Sequence, residues 1–313
     1  MVSRREYLFA YDVRRANPNG DPIDENRPRQ DPITEKVLVS DVRLKRTIRD
    51  WWINEGKEVF IKREEKEDGS LMSKEERLSS LNIKDRKELL QKCIDIRLFG
   101  ATTAIKKQTI TLTGPVQFLF GSSLHPVEVE EIHGTTVMPS GSDKKQGTMT
   151  QYFIVKYALI SFYGVFNEAQ AEEVYKEAFP NNWEEVLNED LHSLVKAMWY
   201  GTKNLITRSK HQNPRLLLEI IHKSDSKLHI GDLDLKIKFV PENSKSPKEI
   251  ESLEEFHLEI SDLIDTLNKN SERIEKIRYK IDPELKITLK GEPKTLNEAL
   301  EVVKVKEVEE LNF

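Results

Sequence analysis

Only one cysteine, Cys93, occurs among the 313 residues. A lone thiol excludes any intrachain disulfide and any cysteine-based zinc site, and it makes a reducing cytoplasm the expected home. Long apolar runs are missing as well: no stretch approaches the ~20 uninterrupted apolar residues that a membrane-crossing helix needs. The opening Met1-Val2-Ser3-Arg4-Arg5 leads straight into strand-like sequence, without an apolar leader core or a cleavage site, so no membrane partner is expected. Apolar residues are scarce at 37%, while charged residues reach 33%, a soluble composition that must place much charge on a large surface. Neither sign of charge dominates, with 49 Lys+Arg against 54 Asp+Glu and a net −5. The total therefore neither supports nor excludes a nucleic-acid partner. The length fits one compact domain with insertions, or a domain plus an appendage.

Signatures of familiar chemistry are also lacking. The seven histidines (His125, His133, His192, His211, His222, His229, His257) never adopt zinc-type spacing. The acidic loop Asp21, Asp24, Glu25, Asp31 lacks the one-in-two carboxylate rhythm of a calcium loop, and reads as solvated turn carboxylates. No nucleophile elbow, phosphate-binding glycine loop or dinucleotide fingerprint is found. Ser209 near His211 is a chance spacing, and Asp12, at a strand end, reads as a local cap. The expectation is a protein without catalytic residues, metal or cofactor.

What is present is patterned. Glu6–Val13 alternates with Tyr7, Phe9 and Tyr11 on one face, a strand. It stops at Arg14-Arg15-Ala16-Asn17-Pro18-Asn19-Gly20-Asp21-Pro22, and prolines at 18, 22, 28 and 32 keep Arg14–Ile33 out of helix. Ser40 predicts an N-cap for a helix to about Glu55, stopped by Gly56. On a helical wheel Leu44, Ile48, Trp51 and Trp52 share one arc, and Arg43, Lys45, Arg46 and Arg49 spread over the other, so a basic side should face outward. Lys57–Gln91 reads as an inserted, mostly helical excursion rather than core. From Thr109 the residues Ile110, Leu112, Val116, Phe118 and Phe120 should face one way, with Gly114-Pro115 breaking the strand. His133–Thr150, rich in Gly, Ser, Thr and Lys, reads as a protruding hairpin with isolated Met138 and Met149. Tyr152–Phe166 is a strand, Ala169–Phe179 and Trp183–Tyr200 helices, Gly201–Asn213 a basic loop and Arg215–His222 a strand. Lys227–Val240 should be a hairpin turning at Gly231-Asp232, Glu251–Lys280 one amphipathic helix, Leu285–Lys290 a strand, and Thr295 the start of a capped tail helix. Reduced to its core this is β-α-β-β-α-β, a ferredoxin-like α+β pattern used by RNA-recognition modules.

Charge is unevenly spread. Lys36–Arg49 holds five bases and one acid, and Lys203–Arg215 four bases and no acid, whereas 251–313 holds 10 bases and 16 acids. Two local basic segments suit a nucleic-acid backbone, which is held by point charges and donors rather than by base edges. An apolar side chain at the tip of a protruding arm can slip between stacked bases.

EYLFAYDVRRANPNGDP, the following RPRQDP, and SDVRLKRTIRDWW together resemble the Cas seven family, the backbone subunits of CRISPR type I Cascade complexes, most like type I-B and close to I-C. DIRLFGA, TGPVQFLFGSSLHPV and YALISFYGVFN extend the similarity in order over about two-thirds of the chain. The resemblance implies a modified RNA-recognition palm (1–56, 92–125 and 150–240), a helical finger insertion (57–91), a β-hairpin thumb (126–149) and a C-terminal region (241–313) completing or flanking the palm. It implies a non-catalytic subunit that polymerises on guide RNA (crRNA) and presents bases to target DNA in antiviral defence. Its expected partners are the crRNA, target DNA through the guide, further copies of itself, and end-capping and large Cascade subunits. The RNA-binding set is then Arg14, Arg15, Asn17, Asn19, Arg43, Lys45, Arg46, Arg49, Lys106, Lys107, Gln117, Lys203, Arg208 and Lys210. Met138, Lys144, Lys145 and Met149 would be the base-displacing thumb residues. Two alternatives stay open: a type III-like subunit cutting RNA through Asp21, Asp24 or Asp31, and a protein-interaction module unrelated to nucleic acid.

Overall fold

The computed structural model describes residues 2–105, 108–135, 149–207 and 209–313. Its centre is the strand Arg5–Ala16, longer than the sequence pattern predicts. It pairs antiparallel with Met149–Phe166 on one side (Arg5↔Phe166) and with Lys210–His222 on the other (Arg5↔Ile221). The ten-stranded sheet runs from edge to edge as Glu307–Glu310, Ile274–Ile281, Lys210–His222, Arg5–Ala16, Met149–Phe166, Gly121–Ser123 and Leu38–Val39. Val116–Phe118 and Val129–Thr135 also pair with Met149–Phe166, and Ile206–Thr207 pairs with Lys210–His222.

Period-2 alternation assigns the two faces of the central strand. Tyr7, Phe9, Tyr11 and Val13 enter one core with Leu44, Ile48 and Trp52 of the helix Asp41–Asn54, and with Leu191, Val195 and Met198 of the helix Trp183–Lys203. Leu8 and Ala10 point the other way, into a second core with Leu218, Ile220, Phe256, Leu258, Leu263 and Leu267. Neither face is open to water, so Tyr7, Phe9 and Tyr11 form no stacking platform. The C-terminal third roofs the second face with a four-stranded sheet of Lys238–Pro241, Phe256–Glu259, Ile287–Leu289 and Glu292–Lys294, and with the helix Ser261–Lys269.

Several expectations are corrected here. Glu251–Lys280 is not one helix: Phe256 and Leu258 are buried at strand period, a nine-residue helix follows, and Ile274–Ile281 returns to the main sheet. Its apolar residues fill one core from three elements, which mimics a single helical stripe. Gly231-Asp232 does turn the chain, at φ 86° and 49°. Lys238–Pro241 then pairs with Phe256–Glu259 instead of folding back as a hairpin. Within Lys57–Gln91 the helices Lys74–Ser80 and Arg86–Lys92 form, but Val59, Phe60, Leu78, Leu89 and Leu90 join the first core, so the segment is more than an excursion. Phe120 lies outside the strands and is 57% exposed. The predicted break at Gly114-Pro115 separates Gln108–Thr113 from Val116–Phe118. Gly100 sits at φ 73°, and a Cβ there would lie 2.1 Å from the Leu112 carbonyl oxygen, so this crossing tolerates only glycine. The capping box at Thr295 and Glu298 forms as expected, opening the helix Leu296–Glu301.

Candidate nucleic-acid interface

The first helix carries four of the sequence-predicted cations, and the fold divides them. Lys45 and Arg49 are not outward-facing; each is 7% exposed. Arg49 Nε donates to Asp95 Oδ2 at 2.8 Å, and the fully buried Asp95 also accepts the backbone N–H of Phe60 (2.8 Å) and Ile61 (3.1 Å). Lys45 Nζ donates to Asp41 at 3.0 Å and to Gln117 Oε1 at 3.4 Å, and both cations lie over the Phe99 ring. A helical wheel gives angle but not neighbours, and the helix Ile94–Phe99 covers the arc it assigns to solvent. Gln117, which also donates to the Gly114 carbonyl at 2.8 Å, is a packing partner of Lys45. Arg46 is bound to Asp50 at 2.8 Å.

Arg43 differs. Among the described residues no carboxylate lies within ion-pair distance of it, and its Nη2 donates to Thr47 Oγ1 at 3.1 Å. Burial, and then the neighbouring Arg46 charge, hold its acidity stronger than usual, against the opposing pull of Tyr11 and Asp50. Lys210 shares this neighbourhood. Burial first, and the Arg43 charge second, hold its ammonium down at about 8. Its Nζ donates to the Asn17 backbone carbonyl. Two half-buried cations thus lie within electrostatic reach of each other, neither ion-paired among the described residues, and a bound anion would relieve their repulsion.

The Asn-Pro-Asn-Gly-Asp-Pro string borders this pair through the Asn17 carbonyl. Asn17 and Asn19 are 3% and 8% exposed, and both tie backbone together. Asn17 N–H donates to the Ser209 carbonyl at 2.9 Å and its Nδ2 to the Asn26 carbonyl at 2.7 Å. Asn19 Oδ1 accepts the Ser40 hydroxyl at 3.0 Å, so the predicted N-cap residue is turned toward the loop and makes no side-chain cap. Both asparagines therefore position the site through their side chains. Asp21 and Asp31, candidates for cleavage chemistry, hold turns: Asp21 accepts the N–H of Ile23 at 3.1 Å, and Asp31 accepts Thr34 N–H at 2.7 Å and its hydroxyl at 2.9 Å. Asp12 is not a turn cap. It is 1% exposed and receives Arg215 Nε at 2.8 Å, Tyr157 OH at 2.9 Å and Asn213 at 3.2 Å.

Arg14 and Arg15 are exposed at the end of the central strand. Arg15 has φ 46°, a left-handed conformation costing about 1–2 kcal/mol for a residue with a Cβ. The irregularity lets Val13 and Ala16 both enter the first core while the two arginines between them stay outside. Such strain persists only where surrounding contacts fix it. Lys203 is exposed at the end of its helix, and within the expected basic loop Ile206–Thr207 pairs with Lys210-His211. Lys106, Lys107, Met138, Lys144, Lys145 and Arg208 lie outside the described residues, and Met149 opens the strand Met149–Phe166. The root of the predicted hairpin is a regular ladder from Thr135↔Met149 to Val129↔Val155. Arg27 stacks on Phe153 there at 3.9 Å, a contact the sequence reading missed. The convergence of Arg43 on Lys210 was also missed. Its one legible signal was the acid-free run Lys203–Arg215.

A family model described as CRISPR-associated protein Cas7 matches residues 3–261. CRISPR-associated protein Cas7 of Haloferax volcanii is 27% identical over 324 residues, spanning 93% of this chain and 90% of that protein. Two solved structures share the fold. A chain of a CRISPR RNA-guided surveillance complex has a TM-score of 0.52 and 14% identity, with 89% of each chain covered. A chain of a pre-nicking CRISPR RNA-guided surveillance complex has a TM-score of 0.53 and 12% identity, covering 96% of this chain and 99% of that one.

Proposed function

The chain belongs to the CRISPR-associated Cas7 family, and from that premise we propose that it is a non-catalytic crRNA-binding backbone subunit of a type I surveillance complex. In this reading successive copies line the guide and leave bases free to pair with target DNA. The observation that carries it is the cation pair Arg43 and Lys210, neither ion-paired among the described residues, set at the end of the sheet beside exposed Arg14 and Arg15. Phosphates bind there through charge, and sequence is read by base pairing.

The sheet supports reading the centre as a modified RNA-recognition palm. The strands Arg5–Ala16, Gly121–Ser123, Met149–Phe166 and Lys210–His222 stand in spatial order fourth, first, third, second, the ferredoxin-like arrangement. Residues 126–149 serve as thumb on the ladder rooted at Val129, 57–91 as finger, and 241–313 as the roof that closes the palm's second face. With that face covered, RNA follows the rim formed by the first helix, the Asn17–Asn19 segment and the paired strand ends at Thr207 and Lys210.

The test is a salt titration of single-stranded RNA binding. Each phosphate contact contributes about 0.7 to the slope of log K against log salt. Replacing Arg43 and Lys210 together by methionine should flatten the slope by about 1.4 and leave the fold intact. An unchanged slope would overturn the assignment of this pair. Absent RNA binding by the wild type, with a 260/280 nm ratio of bare protein after purification from its host, would overturn the function.

A further inference from the structure

A cavity on the opposite side of the sheet lies apart from the RNA rim. It has a volume of about 630 Å³, and apart from Glu242 and His257 all its lining residues follow residue 261, where the family match ends. Its walls are Tyr279, Ile281, Leu285, Ile287, Pro293 and Leu296. These come from the last long strand of the main sheet, two strands of the small sheet and the capped tail helix.

The polar groups of the wall already serve the fold. Glu242 is bonded to His257 at 3.1 Å, Asp282 to Arg215 at 2.6 Å, and Glu298 caps Thr295. The Tyr279 hydroxyl reaches Asn297 at 3.2 Å. No set of free donors or acceptors converges on the floor, so the cavity offers dispersion and dehydration rather than recognition of a polar small molecule. The volume falls in the range of about 300–1,000 Å³ typical of ligand clefts, ample room for one or two large apolar side chains.

The rim selects among apolar partners by charge. Four carboxylates (Glu242, Asp282, Glu298, Glu310) line it against the ammonium groups of Lys286 and Lys294. Lys286 Nζ leans toward Glu242 at 3.8 Å, and among the described residues Glu310 has no ion-pair partner. A phosphate backbone would meet repulsion here, whereas a cationic chain would be drawn in.

We propose that this cavity docks a protein segment that presents a bulky apolar side chain flanked by lysine or arginine, supplied by another component of the assembly. Apolar burial anchors the segment, and the acidic rim sets its charge.

The probe is a synthetic peptide, Lys-Lys-Phe-Leu-Lys with blocked ends, titrated into full-length protein freed of nucleic acid and observed through isoleucine and leucine methyl resonances. Its acidic counterpart, Glu-Glu-Phe-Leu-Glu, is run in parallel. The expected result is saturable shifts at Ile281, Leu285, Ile287 and Leu296 with the basic peptide. Affinity should fall at least tenfold in Asn297→Trp, which fills the cavity from an exposed position, and in Glu310→Lys, which reverses the rim. Thermal melts that match the wild type certify both variants as folded. Should one fail to fold, the other and the acidic peptide still decide the matter. Equal binding of the two peptides, shifts confined to other methyls, or no shift at millimolar peptide each overturns the proposal.

Discussion

Arg43 and Arg49 stand on the same helix, yet replacing each by methionine should have opposite consequences. Arg49 neutralises Asp95, which is fully buried and would keep only the backbone donors of Phe60 and Ile61. Removing one partner of a buried pair costs about 3–5 kcal/mol, because the remaining charge has lost its compensation. Spread over 313 residues at ~2.1 cal/mol/K per residue, 1 kcal/mol corresponds to about 1.5 °C of melting temperature. Arg49→Met should therefore melt about 5–8 °C below wild type. RNA affinity of its folded fraction, measured well below the transition, should stay within about twofold. Restoring neutrality with Asp95→Asn in the same chain should recover part of the loss. Differential scanning calorimetry and RNA binding on the same preparations decide the case. If Arg49→Met melts within 1 °C of wild type but loses RNA, the buried pair is not structural and the division of the helix made here is wrong.

Three further outcomes follow from the same contacts. Lys210 is held at about 8 by burial and by Arg43, and a bound phosphate would return it toward its ordinary value. RNA binding above pH 8 should then require proton uptake and weaken by up to about tenfold per pH unit, a dependence that Lys210→Met removes. His125 is 2% exposed, stacks on Phe239 at 4.1 Å, and has Nδ1 within 2.9 Å of the Pro126 carbonyl and 3.1 Å of the Pro247 carbonyl. Burial pushes it down to about 4, below its unfolded value, so the stability it contributes is present above pH 6.5 and lost as pH falls toward 4. Between pH 7 and pH 4 wild type should lose about 3 kcal/mol more than His125→Gln, read by urea unfolding. Deleting Glu251–Phe313 strips the roof from Leu8, Leu218 and Ile220 and should give insoluble protein; a soluble, monodisperse truncation would show that the second core is dispensable.

The elements legible in the sequence were those whose signals are local. Alternation at Tyr7, Phe9 and Tyr11, the boundaries around Ser40 and Gly56, the break at Gly114-Pro115 and the box at Thr295 all depend on residues a few positions apart, where backbone sterics and short-range bonds decide. The two basic segments were legible too, as composition. What composition withheld was which charges remain free. Lys45 and Arg49 became internal because Asp41, Asp95 and Phe99 reach them, whereas Arg43 and Lys210 hold no ion pair among the described residues. The Glu251–Lys280 stripe failed for the same reason, since one core can be filled from three elements as well as from one. By itself, then, the sequence determined the strand and helix starts and the places where cations are plentiful. Only the tertiary structure decided which cations are spent on buried partners, because a charge's partner is set by what distant segments bring within a few ångströms.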